Sequence, residues 1–293
     1  MDWIDRTLFP LQQTIYRHSE GNMAYVDVGQ GPVIVCVHGT PTWSILWRHA
    51  IHQLSQHNRV IALDHLGFGA SDKPVEGDYT LNGHARRFQD FITDLGLDQI
   101  TLVVHDYGGP IGLADAIAHP GRYCGIVLLN TFLWPFRGAF TIPRAAKLLH
   151  SPLGRYLYLT HNVSPRWLLP NVFGDKNKLT PAVHLQYQAP FPDPHLRHAL
   201  WACVEELEHA TPWLQQLWEQ RHMLTNIPAA IVWGMSDPVY GAHFLRQWQQ
   251  LFPNAPVTPL AQVGHFVQEE SPQHYVDAIN RLIEEHRTSY ARL

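Results

Sequence analysis

The sequence predicts an α/β fold with a mostly parallel sheet, and two observations lead to this fold class. Several helix-length stretches separate strand-like runs, at 80–95, 110–118, 241–251 and 272–286, and such alternation is typical of parallel strands joined by crossover helices. The eight strand-like runs are rich in β-branched residues and mostly end at Gly, Asp or Asn: TIYR, MAYVDVG, PVIVCVHG, RVIALDH, ITLVVHD, GIVLLNT, AAIVWG and APVTPLAQVG.

The unbroken apolar runs IVCV and TLVV predict strands that are covered on both faces of the sheet. The alternation of strands and helices stops after Thr131. From about 134 to 215 no strand pattern recurs, and Trp, Pro, Leu and His are frequent. We therefore predict a core domain of residues 1–133 and 216–293, interrupted by a helical cap at residues 134–215.

Composition limits the classes of function. At 293 residues and 45% hydrophobic content the chain can build a large core. The formal charge of −4, without a basic run beside aromatic residues, argues against nucleic-acid binding. The N-terminal stretch MDWIDRTLFP lacks an apolar signal core, and no run approaches about 18 apolar residues. We expect a cytoplasmic protein with no membrane partner, as a monomer or a homodimer.

Cysteine and histidine spacing predicts no metal site and no cofactor. The three cysteines, Cys36, Cys124 and Cys203, lie far apart without a CxxC pair, so we expect reduced and mostly buried thiols. Two histidine pairs lie one helical turn apart, namely His49 with His52 and His195 with His198. Neither pair has a third ligand at matching spacing.

Polar groups follow five of the predicted strands. Open α/β sheets bind ligands beyond the carboxyl ends of their strands, so we expect the site where these ends meet the cap. The groups are His38-Gly39-Thr40-Pro41, Asp64, Asp106, Asn130 and Asp237.

Asp106 lies in VVHDYGGPIG, between a strand-like run and a Gly-Gly pair. A strand, a small-x-nucleophile-x-small turn and a helix form the pattern that holds a nucleophile exposed. Gly108 and Gly109 lack the Cβ atoms that would obstruct so close a strand-to-helix turn. The amides at the start of the helix favour a negative charge at this position. We predict that Asp106 is a nucleophile rather than only a helix cap.

Two partners for this nucleophile follow later strands. His265 comes directly after the last strand-like run, and Asp237 follows the strand before it. The order nucleophile, acid, histidine is one of the known triad orders. Asn130 ends another strand where an acid could be placed, but an amide cannot balance an imidazolium. We predict the triad Asp106, His265 and Asp237.

An aspartate nucleophile favours attack on an alkyl carbon. A carboxylate has an ordinary pKa near 3.9 and needs no base to attack at neutral pH. Attack on an acyl carbon would form an anhydride, whereas attack on an alkyl carbon forms an ester. His265 would then activate a water against the Asp106 carbonyl, and Asp237 would stabilise the imidazolium. The expected partners are a small hydrophobic substrate and water.

The chain resembles the haloalkane dehalogenase group of α/β-hydrolases along nearly its whole length. The resemblance implies an eight-stranded sheet with a helical cap and the roles nucleophile, base and acid for Asp106, His265 and Asp237. It also implies that the amides of Thr40 and Tyr107 bind the oxyanion. The motifs that carry it are HGTPTWSILWR, DHLGFGASDKP, HDYGGPIG, LLNTFLWP, APFPDP, WGMSDP and GHFVQEE.

Two positions depart from that group. Its members usually hold the departing halide with the indole N–H of a tryptophan after the nucleophile and with a second N–H, from an asparagine in the first loop or from a cap tryptophan. Here those positions are Tyr107 and Thr40. A cap residue could compensate, and we predict a cap contribution to the pocket from Trp134, Trp167 or Tyr187, with Trp201 and Trp213 as further candidates by location.

Three alternatives remain open from the sequence. Epoxide hydrolases have a similar nucleophile turn but need cap tyrosines to protonate an alkoxide, for which Tyr156, Tyr158 and Tyr187 are available. β-Lactone decarboxylases are similar at DHLGFGASDKP and at HFL, residues 243–245. A non-catalytic member of the fold that binds a hydrophobic ligand is the third. A serine esterase is excluded because no Gly-x-Ser-x-Gly occurs.

Overall fold

A computed structural model describes residues 2–135 and 151–290. Within these residues the chain forms an eight-stranded sheet in the order β1-β2-β4-β3-β5-β6-β7-β8. β2 pairs antiparallel with β1 and β4, and all other neighbours pair parallel. The eight-stranded, mostly parallel sheet predicted from the sequence is confirmed. The strands are β1 Thr14–Tyr16, β2 Met23–Val28, β3 Val33–Val37, β4 Arg59–Leu63, β5 Ile100–Asp106, β6 Tyr123–Thr131, β7 Ala229–Gly234 and β8 Val257–Leu260.

Helices cover both faces of the sheet. The core helices are α1 Arg48–Leu54, α2 Leu81–Asp94, α3 Gly108–Ala118, α8 Ala242–Leu251, α9 Val267–Glu270 and α10 Pro272–Tyr290. α1 and α10 pack together on one face, and α2 and α3 pack on the other. The predicted helical stretches all coincide with observed helices.

The two faces explain the unbroken apolar runs of the central strands. In β3, Val35 and Val37 point into the core on the α2 and α3 side, while Ile34 and Cys36 point into the core on the α1 and α10 side. Because side chains alternate along a strand, both positions must be apolar when both faces are covered. Burial of each such aliphatic side chain contributes about 1.5–3 kcal/mol.

A helical segment connects β6 to β7 across the carboxyl ends of the strands, as the sequence predicts. Its helices are α4 Pro152–His161, α5 Pro181–Gln188, α6 His198–His209 and α7 Thr211–Glu219, with no strand among the residues described there. Residues 136–150 of the predicted cap lie outside the described residues. The predicted boundary between residues 215 and 216 falls within α7.

All three cysteines are unpaired, and Cys36 and Cys203 are buried. Across residues 2–135 and 151–290, no helix is both long and apolar enough to cross a membrane.

Candidate active site

Asp106 lies on the predicted tight turn between a strand and a helix. β5 ends at Asp106 and α3 begins at Gly108. The backbone of Asp106 has φ +53°, in the left-handed region that few non-glycine residues adopt. A Cβ at Gly108 would lie 2.1 Å from the Val37 carbonyl oxygen, and one at Gly109 would lie 1.8 Å from Thr131 Oγ1. Glycine is therefore needed at both positions for the helix to start so close to the sheet.

The Asp106 carboxylate is buried and held by donors from three parts of the core. Oδ2 accepts a hydrogen bond from the Thr40 amide at 2.8 Å, and Oδ1 accepts one from the Tyr240 hydroxyl at 2.7 Å. The Tyr107 amide also donates to this carboxylate. Burial raises the pKa of Asp106, and the positive charge of His265 and these donors oppose that rise. These donors therefore replace much of the hydration that the carboxylate loses on burial.

The first loop is shaped to bring the Thr40 amide to Asp106. His38 Nδ1 donates to the Gly39 carbonyl at 2.8 Å, and His38 Nε2 accepts from the His65 amide at 3.0 Å. Burial lowers the pKa of His38 to about 4, which keeps it neutral with one donor and one acceptor. A Cβ at Gly39 would lie 2.2 Å from Asp106 Oδ2, so glycine permits this approach. The HGTP motif thus places a fixed backbone donor at the Asp106 carboxylate.

His265 and Asp237 form the second half of the site. His265 Nδ1 lies 2.9 Å from Asp237 Oδ2, and both side chains are buried. This bond leaves His265 Nε2 as the basic nitrogen. Burial lowers the pKa of His265, but the charge and hydrogen bond of Asp237 and the charge of Asp106 outweigh it, so the net shift is upward. The structure brings the three residues of the predicted triad together.

Asn130 supports the acid instead of replacing it. Its Nδ2 donates to Asp237 Oδ2 at 2.8 Å, and its amide group also exchanges hydrogen bonds with both backbone groups of Gly234. Burial raises the pKa of Asp237, but His265, the Val239 amide and Asn130 together hold it below its usual value. The end of β6 therefore orients the acid at the end of β7.

Tyr240 is a site residue that the sequence did not reveal. It follows Asp237 in WGMSDPVY, yet its hydroxyl contacts a carboxylate 134 positions earlier in the chain. Trp233 Nε1 donates to the Tyr240 carbonyl at 3.0 Å and fixes the backbone of this loop. Burial holds the pKa of Tyr240 well above its usual value, so the hydroxyl stays protonated. The one available signal was an aromatic hydroxyl close to the predicted acid.

A mainly apolar cavity of about 180 Å³ lies above Asp106 and His265, between core and cap. Cavities near 150 Å³ with apolar walls hold a benzene molecule, so this one suits a small ring or short alkyl chain. The described walls are Thr40, Pro41, Asp106, Tyr107, Tyr158, Ser164, Leu168, Leu169, Val172, Leu200, Cys203, Val204, Leu207, Val239, Tyr240, His265 and Phe266.

Thr40 and Tyr107 both line this cavity, as their predicted roles require. The Tyr107 hydroxyl donates to the Cys203 carbonyl of α6 at 2.6 Å, so it links the nucleophile turn to the cap. Thr40 Oγ1 is buried on the cavity wall, where the Cys203 thiol is its neighbour. Its hydroxyl is therefore one of the polar groups that a bound substrate can meet.

The three predicted cap-pocket residues do not line the cavity, which corrects that expectation. Trp134 packs against Trp248 and Phe244, with ring centroids 5.1 and 5.4 Å apart, in a cluster of aromatic rings. Trp167 is 62% exposed. Tyr187 is fully buried, and its hydroxyl donates to Glu269 at 2.5 Å. Aromatic content identifies a packed cap but not the side of each helix that faces the substrate.

Trp201 and Trp213 are also absent from the cavity walls. Within the described part of the chain, no group of three His, Cys, Asp or Glu side chains could hold a metal ion.

The chain is similar to a family model, to relatives of known function and to solved structures. A family model described as alpha/beta hydrolase fold matches residues 32–165. Haloalkane dehalogenase 2 of Mycobacterium tuberculosis is 32% identical, across 94% of this chain and 96% of the relative. Cis-3-alkyl-4-alkyloxetan-2-one decarboxylase of Xanthomonas campestris is 31% identical, across 89% of this chain and 92% of the relative. The structure of haloalkane dehalogenase DatA from Agrobacterium tumefaciens superposes with a TM-score of 0.84 at 26% identity, covering 95% of this chain and all of DatA.

Proposed function

The chain belongs to the α/β-hydrolase family, in the group that contains the haloalkane dehalogenases, and on that premise we propose that it cleaves a carbon–halogen bond through an ester on Asp106. The observation that carries this proposal is the nucleophile itself. A buried carboxylate, held in a left-handed turn beside His265 and Asp237, faces an apolar cavity.

In the first step, an Asp106 oxygen attacks the alkyl carbon and the halide leaves with the bonding pair. The carboxylate is already charged, so the step needs no base. The apolar walls exclude water from the nucleophile, and the small cavity holds the reacting carbon near it.

In the second step, His265 removes a proton from a water molecule that attacks Cγ of the ester. Asp237 stabilises the imidazolium that forms. The oxyanion develops at the oxygen already held by the Thr40 amide. A preorganised donor of this kind contributes about 3–4 kcal/mol to the transition state. Water then leaves its oxygen in Asp106, and the alcohol departs.

The leaving halide meets an unusual set of donors. Apart from His265, the described cavity walls bring no side-chain N–H group. On the side of the first loop and α6, the Thr40 hydroxyl and the Cys203 thiol line the cavity. A hydrogen bond to a charged group contributes about 1.5–3 kcal/mol, so a weaker donor pair should lower the halide-releasing rate rather than abolish it.

The decisive experiment uses His265→Phe with a short bromoalkane, 1-bromobutane, and intact-mass measurement. We expect a stable butyl adduct on Asp106 and one equivalent of bromide, because alkylation needs no base while hydrolysis does. Asp106→Asn is the matched control and should gain no mass. Bromide release by the wild-type protein with no adduct on His265→Phe would contradict the ester mechanism.

A label experiment tests the same step without a substitution. After one turnover in ¹⁸O-water, Asp106 of the wild-type protein should carry the heavy oxygen. Label found only in the alcohol would exclude the covalent route.

A second candidate, β-lactone decarboxylation, is favoured by the 31% identical decarboxylase and by Tyr107 in the place of an indole donor. It would use the same nucleophile on an oxetan-2-one ring and release carbon dioxide and an alkene. Incubation with a short-chain cis-3,4-dialkyl oxetan-2-one separates the two functions, since only the second releases carbon dioxide.

Epoxide hydrolysis receives less support from the cap. Tyr156 is 54% exposed and Tyr187 is bonded to Glu269, which leaves Tyr158 as the one predicted cap tyrosine on the cavity wall. Among the described residues, the predicted cap tyrosines therefore do not form the pair that would protonate an epoxide oxygen.

A further inference from the structure

We propose that Tyr240 is a catalytic residue that protonates the alcohol oxygen as it leaves Asp106 in the hydrolysis step. The inference rests on the proposed ester mechanism. Its basis is the hydrogen bond of 2.7 Å from the Tyr240 hydroxyl to Asp106 Oδ1, the carboxylate oxygen that the Thr40 amide does not hold.

The two oxygens of Asp106 have different surroundings, and this difference assigns their roles. Oδ2 is held by the Thr40 amide and lies so close to Gly39 that a Cβ there would be 2.2 Å away. Backbone donors are fixed and suit the oxygen that becomes the oxyanion. Oδ1 instead accepts a hydrogen bond from a side-chain hydroxyl. We therefore assign Oδ1 as the oxygen that forms the bond to carbon. Oδ1 is then also the oxygen that departs with the alcohol.

The second half of the reaction needs an acid at that oxygen. After water attacks Cγ, the tetrahedral intermediate breaks the Cγ–Oδ1 bond, and the bonding pair goes to Oδ1 of the alkoxide. An alkoxide is a poor leaving group unless it is protonated as the bond breaks. The Tyr240 hydroxyl already lies within hydrogen-bond distance of Oδ1, whereas His265 must first take its proton from the attacking water.

The protons balance across the cycle. His265 takes one proton from water, and Tyr240 gives its phenolic proton to the alkoxide, so the products are an alcohol, a carboxylic acid at Asp106 and a phenolate at Tyr240. The new carboxylic acid of Asp106 returns a proton to the adjacent phenolate. His265 then releases its proton to solvent, which restores the resting enzyme.

The surroundings of Tyr240 keep its hydroxyl in place through both steps. Its backbone is held by Trp233, and its ring packs against Phe132 and Phe244 with centroids 5.6 and 5.0 Å away. The residue comes from the core loop between β7 and α8. Its ring also lies 5.4 Å from that of His265, which places acid and base at one ester.

Tyr240→Phe tests the proposal because it removes one hydroxyl and keeps the ring. With 1-bromobutane we expect a burst of bromide close to one equivalent, since alkylation does not use the acid. Ester hydrolysis should slow by about 10²-fold, the lower end of a general-acid contribution. The butyl ester should then accumulate on Asp106 in the steady state and appear in the intact mass.

The acidity of the departing alcohol provides a readout that a purely structural role would not change. Bromoacetonitrile gives a more acidic alcohol than 1-bromobutane, and its ester needs less help from an acid. The hydrolysis defect of Tyr240→Phe should therefore shrink with bromoacetonitrile. An equal defect for both esters would overturn the proposal, as would hydrolysis at the wild-type rate.

The matched control is Tyr123→Phe, which also removes a buried hydroxyl from a carboxylate, that of Asp115, away from the site. It should hydrolyse both esters at the wild-type rate, and a slowed control would show that lost packing explains the defect. Failure of the ester mechanism remains distinguishable, because His265→Phe would then gain no adduct. If His265→Phe gains the adduct and Tyr240→Phe hydrolyses normally, only the role of Tyr240 is wrong.

Discussion

At the scale of single residues, the site contains a buried carboxylate, Asp106, and a buried histidine, His265. The pKa of the histidine depends on the charge of the carboxylate. Asp106 and His265 have exposed fractions of 4% each. The negative charge of Asp106 is one of the causes that raise the pKa of His265. Alkylation removes that charge, so the pKa of His265 should fall when the ester forms. In the proposed mechanism, His265 would thus be neutral at the stage at which it must accept a proton.

This coupling gives a first prediction about pH. In Asp106→Asn, which mimics the neutral ester, His265 should titrate at lower pH than in the wild-type protein. The hydrolysis step should accordingly persist to a lower pH than the resting pKa of His265 implies. Histidine titration by ¹⁵N NMR measures both proteins, and an unchanged or higher pKa in the variant would contradict the coupling.

A second prediction concerns Asn130. In Asn130→Ala, Asp237 loses a donor and its pKa should rise, so it stabilises the imidazolium less. One hydrogen bond to a charged group corresponds to about 10- to 150-fold in rate. Ester hydrolysis should slow within that range while the bromide burst remains. Rapid-quench measurement separates the two steps, and equal slowing of both would show that Asn130 acts on the nucleophile.

At the scale of elements, the turn from β5 to α3 is where sequence and packing constrain each other most. Gly108 has no positive φ that would exclude alanine, so only space restricts it. The restriction is a backbone carbonyl of β3, which cannot move aside without disturbing the sheet. Asp106 lies on a tight turn because α3 starts directly against the neighbouring strand.

A third prediction follows for this turn. Gly108→Ala should lower the free energy of unfolding by about 3 kcal/mol or more, at the upper end of overpacking effects. Gly121→Ala is the matched control, since its added Cβ meets open space among the described residues. That control should stay within about 0.5 kcal/mol. Urea denaturation compares the two, and similar stabilities would show that the turn can relax.

At the scale of the whole molecule, buried hydrogen bonds join the cap to the core. Glu269 on α9 accepts hydrogen bonds from Nη1 and Nη2 of Arg48, at 2.5 and 2.6 Å, and from the Tyr187 hydroxyl of α5. The Glu269 side chain is 1% exposed. The His265 amide adds a bond to the Val172 carbonyl of the cap at 2.8 Å. His265 therefore lies on a loop that the cap holds.

A fourth prediction tests this network. Glu269→Ala leaves the Arg48 charge buried and unpaired, which should destabilise the protein by about 3–5 kcal/mol. Glu208→Ala, at an exposed position of α6, should change stability by about 0.5 kcal/mol or less. Thermal unfolding followed by near-UV circular dichroism measures both. A small effect of Glu269→Ala would mean that water reaches Arg48 when the carboxylate is removed.

The features of this protein that rest on local sequence pattern could be predicted without the structure. Strand ends, the glycine pair after Asp106 and the chain order of Asp106, Asp237 and His265 are local signals, and the sheet brings such strand ends to one edge whatever the cap does. Tyr240 and Asn130 were decided by tertiary structure, because their partners lie more than one hundred positions away. The same holds for the described part of the cap. Only packing decides that Leu200 and Val204 face the substrate cavity while Trp134 and Tyr187 face other side chains.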